Sequence, residues 1–188
     1  PDMQAAIAAR AALHADLRMA VRRNQFILHY QPQVDHDGRV RGAEALVRWQ
    51  HPERGMISPA EFIPLAEATG LILPIGHWVL ETACKQLATW ARYPELAELT
   101  IAVNVSARQF KHRDFVDLVT AVIEATGANP NRLKLELTES MLAADVDDIV
   151  LPIAYAPGAA DYLMGLGHKG GVRPATVDCI PVTPSRET

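Results

Sequence analysis

FILHYQPQVDHDGRVRGAEALVRW, residues 26–49, decides the fold. Two runs of alternating, β-favouring residues, 26–33 and 40–49, flank the turn signal Asp35-His36-Asp37-Gly38. That link is far too short for a parallel crossover, so the two strands are expected to pair antiparallel. The pattern then changes. Ser58-Pro59-Ala60-Glu61 reads as a capping box with proline at the first helical position, opening a helix that stops at Gly70. A longer helix is expected over about 75–91, with Val79, Ala83, Leu87 and Trp90 on one stripe. LTIAVNVS (99–106) reads as a strand, about 114–126 as a helix ending at Gly127, and RLKLELT (132–138) as another strand. Before the hairpin, residues 3–24 read as a helix with Leu13, Leu17 and Val21 on one face. A hairpin followed by strand and helix in alternation implies an α/β fold with mainly parallel strands.

Composition agrees. Of 188 residues, 49% are hydrophobic and 21% charged, so wholesale disorder is excluded. A net charge of −4 argues against a protein built around DNA phosphates. Two cysteines, Cys84 and Cys179, are too few for a disulfide framework, so a reducing cytoplasm is expected. The run 149–167 carries Pro152, Pro157 and Asp161, which counts against a membrane span. Residues 1–150 hold 8 Pro and 6 Gly, whereas 151–188 hold 5 of each, so the tail is much richer in breakers and is expected to be irregular. Its Gly165, Gly167 and Gly170 meet Pro174 where a dinucleotide motif needs a helix. Cys84, Trp78 and Trp90 read as packing residues.

Strand side chains alternate, so Glu44, Leu46 and Arg48 share one face. Ala102, Asn104 and Ser106 share a face of the next strand, and Lys134, Glu136 and Thr138 a face of the one after. Polar groups thus gather near the C-terminal ends of successive strands, where α/β folds collect ligand groups. Two carboxylates and a carboxamide oxygen suit Mg²⁺ or Mn²⁺ rather than Zn²⁺, and an arginine beside them suits a phosphate. Spacing alone also fits salt-bridged charges on strand faces.

HYQPQVD, GAEALVRWQHPERGMISPAEFIPLAEATGLI, NVSARQF and LELTES, in this order, resemble the first half of an EAL domain over about residues 12–150. That family hydrolyses cyclic di-GMP to linear pGpG. The resemblance implies a TIM-like (β/α) barrel with an antiparallel first strand, here cut after its fourth strand. It divides the chain into a connector helix (1–24), the N-terminal half of an EAL domain (25–150) and an unrelated Pro/Gly-rich tail (151–188). It implies Glu44, Asn104 and Glu136 as metal ligands, Glu44 and Glu136 being catalytic, for Mg²⁺ or Mn²⁺. Gln31, Leu46 and Arg48 match residues that contact cyclic di-GMP, and Glu139 matches a supporting position. An upstream GGDEF or sensor domain is the implied partner.

The chain departs from the family after residue 150. The paired-aspartate DDFGTGYSS motif has no counterpart, and its register falls on Leu166-Gly167. The later lysine and glutamate are missing too. Two-metal hydrolysis needs carboxylates on both ions. Three readings follow: a truncated phosphodiesterase domain whose activity is lost, a degenerate module that binds cyclic di-GMP or a protein, and a non-functional gene fragment. A half-barrel also implies open sheet edges and self-association through them.

Overall fold

The computed structural model describes residues 3–137. Glu139 and the tail lie outside the described residues. The chain opens with helix α1 (Met3–Arg22), followed by strands β1 (Phe26–Val34), β2 (Val40–His51) and β3 (Gly55–Ile57). Helices α2 (Pro59–Thr69) and α3 (Ile72–Trp90) precede β4 (Thr100–Val105). A single turn of helix, α4 (Ala107–Phe110), then leads to α5 (Phe115–Thr126) and β5 (Leu133–Leu137).

The hairpin forms as its sequence implies. The Asp35 carboxylate accepts from Asp37 N at 2.9 Å and Arg39 N at 3.0 Å, and pairs with Arg41 Nε at 2.7 Å. Gly38 takes a positive φ of 76°, which a side chain would resist. The strands pair antiparallel, with Gln31 opposite Glu44 and Phe26 opposite Trp49. β2 then pairs parallel with β4, and β4 parallel with β5, giving the order β1-β2-β4-β5. β3 adds antiparallel to the far end of β2. Among the described residues β5 ends the sheet path.

One face of this sheet is apolar. Leu28, Tyr30, Ala43, Ala45, Trp49, Ile101, Val103, Val105 and Leu133 are buried. Stripes from the helices cover that face: Phe62 and Leu65 from α2, Ile75, Val79, Leu80, Ala83 and Leu87 from α3, and Val122 from α5. Trp49 and Phe62 are fully buried, with ring centroids 5.8 Å apart edge to face. The Trp49 indole N–H donates to Gln25 Oε1 at 3.2 Å, so the buried ring leaves no unpaired donor. Leu13 and Leu17 of α1 join the same core, and Cys84 is packed within it, as expected.

Two local expectations are corrected, and two short elements are added. Ser58 caps α2 by accepting from Ala60 N at 3.3 Å, without a reciprocal bond from Glu61. The full capping box lies instead at Ser106 and Gln109. Helix α3 begins at Ile72, ahead of Pro74 rather than after it, because the first turn of a helix needs no N–H there. β3 and α4 are too short for any periodicity to announce them.

Candidate functional site: a polar face on an open half-barrel

The other sheet face carries the residues singled out by strand parity. Gln31 stands opposite Glu44 and His29 opposite Leu46. Glu44 lies beside Ala102 on β4, and Asn104 beside Glu136 on β5. Ala102 is fully buried and small, so it leaves room between the longer chains around it. The Asn104 amide donates to Glu44 Oε1 at 2.6 Å. This contact joins two of the expected ligands directly. Leu46 and Arg48 follow Glu44 along β2 on the same face, and Arg48 donates from Nη1 to Val47 O at 2.9 Å.

Glu136 completes the group. Burial and the nearby Glu44 charge push its carboxyl above the ordinary range, while Lys134 and a hydrogen bond from the Gln33 side chain pull the other way. The Glu136 carboxylate therefore stands where its charge is disfavoured, a cost that a cation would relieve. The donor set also fits a hard cation. Once the Asn104 amide is engaged with Glu44, its carboxamide oxygen and the carboxylates present only oxygen donors. Among the described residues no group of three or more His, Cys, Asp or Glu gathers, and on this face the third oxygen donor is the Asn104 carboxamide.

Sequence reading missed two members of this face. Gln33 lies two positions beyond Gln31, so parity alone placed it there, opposite Gly42. His29 lies two positions before Gln31. Burial and the Arg48 guanidinium lower its pKa, which favours the neutral imidazole.

A parallel sheet preceded by an antiparallel strand, with carboxylates, a carboxamide and an arginine on one face and helices over the other, is the architecture of part of an α/β barrel. The EAL domain family model matches residues 14–151, and the chain belongs to that family. It is 48% identical over 133 residues to the bifunctional diguanylate cyclase/cyclic di-GMP phosphodiesterase MucR of Pseudomonas aeruginosa, covering 70% of this chain and 19% of that protein. It is 38% identical over 153 residues to the cyclic di-GMP phosphodiesterase PdeR of Escherichia coli, covering 81% and 23%. The fold superposes on the PaMucR phosphodiesterase in complex with c-di-GMP with a TM-score of 0.69 at 47% identity, covering 72% of this chain and 55% of that one. The Xanthomonas citri FimX EAL domain in complex with c-diGMP gives 0.62 at 26% identity, covering 73% and 53%. The chain thus spans about a fifth of these curated relatives and about half of these solved chains. No helix of the described residues is long and apolar enough to cross a membrane.

Proposed function

We propose that this chain carries the first-cation and ligand-contacting half of an EAL-type site and holds cyclic di-GMP without hydrolysing it. The observation that carries the reading is the Asn104–Glu44 contact, with Glu136 beside Asn104 on the next strand. Glu44, Asn104 and Glu136 would hold Mg²⁺ or Mn²⁺. Such an ion supplies charge neutralisation for a phosphodiester and acidifies water. Gln31, Leu46 and Arg48 line the same face. Arg48 supplies a guanidinium for a phosphate, Gln31 a carboxamide for a polar edge, and Leu46 an apolar seat for a base.

Turnover is another matter. Glu44 and Glu136 bring two negative charges against two divalent ions in the family's reaction, and the sequence contains no Asp-Asp-Phe-Gly to hold the second. Relatives named as phosphodiesterases support the ligand class, and the missing aspartate pair supports binding without cleavage. Calorimetric titration of the 188-residue chain with cyclic di-GMP and Mn²⁺ tests the reading, alongside chromatography for pGpG. Saturable, Mn²⁺-dependent binding lost in Glu44→Ala, with no pGpG, is expected. Absence of binding would favour the non-functional fragment, and Glu44-dependent pGpG would restore the enzyme.

A further inference from the structure

The NVSARQF stretch contributes more than Asn104. Two residues beyond it, Ser106 is only 5% exposed, and Gln109 is 8% exposed. The two lock reciprocally. Ser106 Oγ accepts from Gln109 N at 3.3 Å, while Gln109 Oε1 accepts from Ser106 N at 3.2 Å and Ser106 Oγ at 3.0 Å. The Gln109 carboxamide is seated on Gly76 of α3, where a Cβ would stand 1.8 Å from its nitrogen. Arg108, between them, donates from Nη1 to Glu67 O at 2.6 Å in the last turn of α2. The turn α4 is therefore clamped to α2 and α3 at once, at the point where β4 delivers Asn104.

We propose that the Ser106–Gln109 box seated on Gly76 positions Asn104 against Glu44. The physical route is short. Val105 is buried on the helix-covered face, and the next residue is fixed by the cap. The Asn104 peptide is thus held from its C-terminal side, which fixes the direction in which its Cβ projects toward Glu44. Gly76 acts purely through clearance. Alanine would otherwise favour a helix interior over glycine, so a loss on substitution reports the displaced Gln109.

The test uses ¹⁵N-labelled 188-residue chain carrying Gly76→Ala, Ser106→Ala or Ser106→Thr. Leu13→Ala on α1 is a destabilised control away from the box. The Asn104 side-chain NH₂ signals, assigned through Asn104→Asp, are read together with Mn²⁺ affinity by electron paramagnetic resonance. Gly76→Ala and Ser106→Ala are expected to move the Asn104 signals and to weaken Mn²⁺ about tenfold or more, the range seen when groups supporting metal ligands are removed. Ser106→Thr keeps the hydroxyl cap and should retain both. Leu13→Ala should lower the melting temperature and leave both unchanged. If Gly76→Ala fails to fold, Ser106→Ala carries the comparison. Asn104 signals unmoved by loss of the box, or moved equally by Leu13→Ala, would overturn the proposal. The affinity readout alone rests on the cation reading above. Should wild type and Glu44→Ala bind Mn²⁺ equally, that reading falls, and the Asn104 signals still decide this one.

Discussion

Asn104 donates its side-chain amide to Glu44 at 2.6 Å across sixty positions of sequence. One carboxylate of the polar face is thereby engaged, and Glu136 on the adjacent strand faces its charge. Burial and that charge together make the folded state hold the Glu136 proton more tightly than the unfolded chain does.

This coupling sets a pH dependence. The stabilisation from Glu136 is fully present below its ordinary value of 4.5 and is lost as pH rises through the raised folded value. Carboxyl ¹³C titration should place Glu136 above 4.5 in the wild type. Glu44→Gln removes the opposing charge and should bring it down. Saturating Mg²⁺ should also bring it down, because the ion favours the ionised form. An unchanged Glu136 titration in Glu44→Gln would mean that burial alone raises it.

Gly42 should not tolerate a side chain. A Cβ there would lie 2.4 Å from both the Thr100 carbonyl oxygen and its Oγ1. The β2–β4 pairing holds that carbonyl in place, so Gly42→Ala must part the strands. A cost of about 1–3 kcal/mol is expected from such overpacking, read as a lowered urea midpoint. Thr100→Ser retains the backbone obstruction and should not rescue it.

The N-terminal helix is tied to the sheet through His51. Its Nδ1 accepts from Glu53 N and Arg54 N, both at 3.1 Å, which leaves Nε2 to meet Asp16 Oδ2 at 3.3 Å. Arg54 approaches the same carboxylate at 3.6 Å. Asp16→Ala should cost about 1 kcal/mol or less, since the carboxylate is partly exposed, yet amide exchange in α1 should accelerate selectively. His51→Ala also strands two backbone donors and should cost about 1–3 kcal/mol.

Cys84 should be chemically silent. Burial pushes its thiol up to about 11, with a hydrogen bond involving Thr126 opposing the shift. In a Cys179→Ser background, a thiol reagent at pH 8 should label Cys84 only as fast as the chain unfolds, and at once in denaturant. Rapid labelling under native conditions would show that the α3–α5 contact opens far more readily than its packing implies.

Much of the site was legible because strand parity is local. Glu44, Leu46 and Arg48 share a face whatever surrounds them, and Gly38 marks the hairpin turn from sequence alone. The same parity would have found His29 and Gln33. The capping box was legible in kind but read at Ser58, where S-x-x-E occurs, rather than at Ser106, where S-x-x-Q forms both bonds. The pattern is the same at both places. Only at Ser106 does packing hold the glutamine against its cap, through the clearance left by Gly76 on another helix.

Sequence by itself determined the hairpin, the alternation of strands and helices, and which residues of each strand face together, because backbone period and turn chemistry act over a few residues. Tertiary structure alone decided that Asn104 reaches Glu44, that Glu136 feels the charge of Glu44, and that α4 is clamped between α2 and α3. Those relations depend on the order β1-β2-β4-β5 and on small residues at Gly42, Gly76 and Ala102. Distance and dielectric between side chains far apart in sequence exist only once the strands have paired and the helices have covered one face of the sheet.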